Sequence, residues 1–200
     1  MFSDPFSNRF SNPLRNRDQR RTKSREDTGI MQETPQQYTQ RILAQLEGQQ
    51  PLKVQAGTAK KLDRLIKKAS SAKLRKRPAP GKWSVGEILA HLSDTEIAVA
   101  WRIRQILGSP GTQLQAYDQD VWAAAGRYEK RDPRKSLEMF RAVREGNLTL
   151  LKSLAPEQWK QHGIHAERGV ETIEHIVGLM AGHDINHTKQ VERIVTAKKS

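Results

Sequence analysis

The chain has 200 residues, a formal net charge of +13, 28% charged residues, six histidines and no cysteine. The missing thiols exclude disulfides, thiolate metal sites and cysteine nucleophiles, and they fit a reducing compartment. No run of about 18 apolar residues offers a membrane span. The first thirty residues hold no apolar stretch of signal-peptide type, so a cytoplasmic protein is expected.

The charge is unevenly spread. Residues 51–82 carry +10 of it, whereas residues 83–200, the larger part of the chain, carry only +1. A single cationic stretch can attract polyanions. It is read here as a solvated helix face and loop, because no zinc-finger spacing, RNP-like aromatic pattern or GXXG loop accompanies it.

Residues 1–30 are rich in Ser, Asn, Arg and Asp and predict a disordered tail. Met31 follows and is a candidate for the true start of translation, which leaves residues 31–200 as one domain. Thr34 as N-cap and Pro35 at the first helical position open a short helix. The segment TAKKLDRLIKKAS predicts another, with Leu62, Leu65, Ile66 and Ala69 on one face. After the proline-rich break RPAPGK, Ser84 and Glu87 form a capping box at the head of a long helix that GSPG ends. Residues 109–132 make a long connection containing YDQDVWAAAGRY. Asp132 caps a third long helix with Pro133 at its first position. Residues 162–169 read as a Gly/His loop, and a fourth long helix follows. All long periodic segments repeat at 3.6 residues, so the expected class is all-α: a four-helix bundle with one crossover.

The polar residues on the apolar faces carry the functional reading. His183 and His187 are one helical turn apart, about 40° from each other, on the face of Ile173, Ile176, Met180, Val191 and Ile194. His91 sits at the edge of the apolar face of Ile88, Leu92, Val99 and Ile106. Three imidazoles aimed into one core need a common partner, and a divalent metal satisfies all three. HDINH lacks the glutamate base of the HExxH zinc peptidases. Glu96 and Arg144 also fall on apolar faces, of two different helices, and are expected to pair in the interior. His175 is about 12 Å along the helix from His183, too far to share an ion. His162 and His165 are expected in the solvated loop, with His165 within reach of a pocket mouth. Trp83, Trp101, Trp122 and Trp159 are expected to plug the bundle.

Together, GKWSVGEILAHLSDTE and, far downstream, GVETIEHIVGLMAGHDINHTKQVERI resemble the DinB-like, or YfiT-like, family over roughly residues 35–196. The resemblance implies an up-down-down-up four-helix bundle, often a homodimer, with a metal held by His91, His183 and His187. Relatives in that family include thiol S-transferases that use low-molecular-weight thiols, a thiol-dependent maleylpyruvate isomerase and proteins described as hydrolases. The expected function is therefore a metal-dependent enzyme acting on a small molecule, a hydrolase or a low-molecular-weight thiol S-transferase. Zinc or nickel is favoured over iron or manganese, and Asp94, Asp118, Asp120 and His165 are the candidate acid–base helpers. The alternatives are a non-catalytic, metal-stabilised stress-response or binding protein and, last, a nucleic-acid-associated protein using residues 51–82.

Overall fold

The structure, a computed structural model, describes residues 33–197. The reading of residues 1–30 and of Met31 as a start lies outside that range. Among the described residues, eight α-helices run α1 Pro35–Ala44, α2 Pro51–Ile66, α3 Ser71–Arg75, α4 Val85–Gly108, α5 Gln119–Ala125, α6 Pro133–Lys152, α7 Pro156–Trp159 and α8 Ile173–Thr196. Three short strands accompany them: β1 Gln113–Leu114, β2 His162–His165 and β3 Gly169–Thr172. No helix of the described residues is long and apolar enough to cross a membrane.

The helix starts are set locally. Thr34 and Ser84 each close a reciprocal capping box with Gln37 and Glu87, and Asp132 accepts from the backbone N–H groups of Arg134 and Lys135. The helix containing Leu62 begins earlier than its apolar periodicity suggests, at Pro51, whose missing N–H costs nothing at a first helical position. Lys60, Lys61, Arg64, Lys67 and Lys68 of this segment are exposed.

The long helices α2, α4, α6 and α8 form a four-helix bundle in which α4 packs on α6 and α8, and α2 packs on α6 and α8. Cross-helix pairs fix their directions. Gln55 bonds Val177 and Thr58 bonds Asp184, so α2 and α8 run parallel. Gly86 abuts Pro133 while Arg104 bonds Asn147, so α4 and α6 run parallel. Arg134 reaches the end of α2 at Ile66 while Arg144 reaches Gln55 near its start, so α6 opposes α2. The course is up-down-down-up, and each of the successive pairs α2/α4 and α6/α8 lies across a diagonal.

Two apolar clusters fill the bundle. One gathers Leu62, Ile66, Leu74, Ile88, Leu89 and Phe140, and the other Val99, Ile103, Ile106, Leu151, Ile173 and Ile176. On α4, Glu96 lies between the two clusters and His91 at the edge of the first, next to Leu92. The helix α1 lies on α8, where Gly182 lets the backbones meet: a Cβ there would stand 2.1 Å from the carbonyl oxygen of Ile42.

Two expectations are corrected. Residues 162–172 form a hairpin, with β2 antiparallel to β3 and parallel to β1. Its inward residues are Gly163, His165 and Glu171, so no apolar alternation announces it. Trp101 and Trp122 do not plug the bundle, being 64% and 37% exposed. Trp101 points away from the Val99 and Ile103 stripe, and Trp122 stacks on Tyr117 with ring centroids 4.1 Å apart. Trp83 and Trp159 do pack against the two clusters.

Candidate metal centre

The bundle brings His91 of α4 and His183 and His187 of α8 together, with one ligand nitrogen from each inside a set no wider than 4.8 Å. The Nε2 atoms of His91 and His183 are 3.0 Å apart, and the ring centroids of His183 and His187 are separated by 4.4 Å. Burial holds all three rings neutral, helped at His91 and His183 by the neighbouring imidazoles and opposed at His187 by its hydrogen bond to Gln190. His91 is pushed down to about 3, His187 to about 4, and His183 well below its ordinary value. Neutral imidazole is the ligating form.

Their surroundings aim the rings. His187 Nδ1 is 3.0 Å from the side-chain oxygen of Gln190. An N–H there donates to that oxygen and leaves the Nε2 lone pair free toward the other rings. Trp83 covers His91 at a centroid distance of 5.0 Å. Outer-shell partners of this kind are worth about 10–100-fold in metal affinity. Were these three rings to hold an ion, Gln190→Leu would be expected to weaken its binding by about tenfold or more with little loss of helix content. A competition titration against a chelator measures it.

Beneath the rings lies a polar layer. Arg144 donates to Glu96 Oε2 at 2.7 Å and to Asp184 at 2.5 and 3.2 Å, with all three side chains buried. Thr58 donates to Asp184 at 2.9 Å and Asn147 to Glu96 at 2.7 Å. One guanidinium against two carboxylates gives the cluster a formal charge of −1 with both acids ionised. Asp184 adjoins His183 in sequence, and the Arg144 charge helps to hold the His183 ring neutral. Burial raises the pKa of Asp184, and Arg144 opposes the shift.

Above the rings opens a cavity of about 300 Å³ lined by His91, His183, Thr95, Tyr38, Tyr117, Arg102, Arg168 and His165 among others. His165, expected at a solvated loop, is instead buried in β2 with its pKa pushed down to about 4 by burial. Its Nδ1 accepts from the backbone N–H of Glu167 at 3.2 Å, so the proton of the neutral ring sits on Nε2.

The three aspartates do not line this cavity. Asp94 accepts from the Tyr128 hydroxyl at 2.9 Å and from Arg131 at 2.7 Å, pinning the α4–α6 connection. Asp118 caps α5, and Asp120 lies exposed in its first turn. The sequence reading passed over Arg102 and Thr95, although His91, Thr95, Val99 and Arg102 continue one stripe of α4.

The family model of the DinB superfamily matches residues 56–191, which hold all three histidines. The chain belongs to the DinB superfamily. Among curated DinB relatives, YfiT of Bacillus subtilis, named a "putative metal-dependent hydrolase", is 22% identical over 135 residues, 67% of this chain and 76% of that protein. A protein of Oceanobacillus iheyensis with the same description is 24% identical over 119 residues, 59% and 68% of the two chains. The solved structure of Bacillus subtilis YfiT is described as a probable metal-dependent hydrolase with an unusual four-helix bundle topology. It superposes with a TM-score of 0.66 at 21% identity, covering 86% of this chain and 91% of that one. At that identity the superposition speaks for the fold alone.

Proposed function

We propose that His91, His183 and His187 hold one divalent metal ion and that the chain is a metal-dependent enzyme, first of all a hydrolase, acting on a small molecule in the adjoining cavity. The observation that carries this reading is the convergence of three neutral imidazoles, two of which, His91 and His183, line a cavity of about 300 Å³. Held by three neutral nitrogens, such an ion supplies a Lewis acid with open positions that acidifies water or a thiol. The rest falls to the chain's own residues. Gln190 keeps the His187 proton on Nδ1, the buried acids of the polar layer balance positive charge, and His165 presents an Nε2–H donor to an oxygen in the cavity.

Thiol transfer is the second reading, favoured by one observation. The buried carboxylates, Glu96 and Asp184, are both engaged by Arg144 and are not free bases. A metal held by these histidines would lower the pKa of a bound thiol enough for water to take its proton, so such a reaction would ask for no side-chain base.

The test is elemental analysis of protein purified without a histidine tag, wild type against His187→Ala. About one equivalent of metal is expected in the wild type and about a tenth or less in the variant. Equal metal content in the two proteins sinks the assignment. Metal without turnover on ester or thiol–electrophile panels points to the non-catalytic alternative.

A further inference from the structure

Arg102 is the one guanidinium among the described residues that is buried without a carboxylate within ion-pair distance. It is 9% exposed and donates through Nη2 to the backbone oxygen of Gln115 at 2.5 Å. The Tyr117 ring lies 5.5 Å from its central carbon. It lines the cavity that ends on His91 and His183. The neighbouring Arg168 is already neutralised, donating to both oxygens of Glu171 at 2.7 and 2.9 Å. At the rim, Glu33 is taken by Arg41 at 2.7 Å, and Glu167 is exposed to water.

A guanidinium has five N–H donors in a planar fork that matches a carboxylate. Burial without a counter-charge is costly, and it presses the Arg102 pKa downward. An anionic group brought into the cavity removes that cost. The cavity holds one uncompensated buried cation, which suits a monoanion better than a dianion.

Position sets the shape of the molecule. Arg102 is eleven residues after His91 on α4, about 16 Å along the axis. Both side chains lean toward the helix start, and the longer Arg102 reaches further that way, which shortens the gap. The two ends of a bound molecule must still lie well apart.

We propose that the substrate is an elongated monocarboxylate whose carboxylate is bound by the free N–H groups of Arg102 while its reacting end lies at His91 and His183. The inference rests on the metal reading above for the position of the reacting end, but not for the anion subsite.

The experiment compares ω-mercaptohexanoate with ω-mercaptohexanol, which share a thiol and chain length and differ in the far group. Each is titrated into the full-length, cobalt(II)-loaded protein, and the cobalt–thiolate absorption band is followed. The acid is expected to bind at least about tenfold more tightly than the alcohol. Arg102→Gln is expected to abolish that preference while leaving the cobalt content and the alcohol affinity unchanged. Equal affinities in the wild type overturn the proposal, whether or not the variant folds. A preference that survives in Arg102→Gln overturns the assignment to Arg102. A parallel calorimetric titration of hexanoate and hexanol into metal-free protein decides the subsite by itself. If cobalt is not taken up yet hexanoate binds through Arg102, the metal reading fails and the anion subsite stands.

Discussion

Arg144→Met is expected to destabilise the protein by about 3–5 kcal/mol, the cost of stranding buried charges whose partner has been removed. Two carboxylates lose their counter-ion at once, since Glu96 and Asp184 both accept from this guanidinium. For a domain of this size about 1 kcal/mol moves the midpoint by roughly 2–4 °C, so a fall of about 10 °C is expected by calorimetry. The triple variant Arg144→Met, Glu96→Gln, Asp184→Asn removes the charges together and should recover much of the loss. A single variant as stable as wild type refutes the ion cluster. A triple variant no better than the single one shows that stacking of the Arg144 guanidinium on the Phe140 ring, 4.7 Å from its central carbon, dominates instead.

A second large effect is expected at the close approach of α1 and α8. Gly182→Ala puts a Cβ 2.1 Å from the Ile42 oxygen and 2.8 Å from its carbonyl carbon, and backbone atoms cannot yield as a side-chain tip can. Overpacking of this kind costs about 1–3 kcal/mol and more where backbone must move, so a loss of about 3 kcal/mol is expected. Ile42 is fully buried, and Tyr38 of the same helix lines the cavity. The variant should therefore also expose the α1–α2 connection to proteolysis. Gly178→Ala is the control, because its Cβ would meet only the Leu43 side chain at 3.5 Å. There the helix-propensity gain of up to about 1 kcal/mol is free to appear. Opposite signs in urea midpoints are the expected pattern, and equal effects contradict the backbone contact.

Helix starts were legible because capping is local: Thr34, Ser84 and Asp132 each declare themselves within four residues. The facing of His91, His183, Glu96 and Arg144 was legible because each interrupts an apolar stripe, and a 3.6-residue period places such residues inside. Asp184 was not, for it lies about 100° round α8 from His183. That helix sits in a corner of the bundle, turning one flank to α4 and another to α2, so its inner surface is wider than one stripe. Arg102 was hidden by its chemistry, since a long cation at a stripe's edge reads as reaching for water. The hairpin of β2 and β3 was illegible because glycine, histidine and glutamate occupy its inner positions. Trp101 shows the opposite error: its size argued for the interior, while its angular position already placed it outside.

The up-down-down-up course bears on how the chain reaches this state. The bonds from Gln55 to Val177 and from Thr58 to Asp184 span 122 and 126 residues of sequence. An up-and-down bundle forms hairpin by hairpin, with each closure short. Here α2 emerges early and waits for the last helix to cover its apolar face. Loop-closure entropy must be met before those contacts repay it, which moves this helical protein toward the slow end of the folding range for its class. The newly made chain meanwhile carries uncovered Leu62 and Ile66, beside the lysines that keep the same helix soluble while it waits.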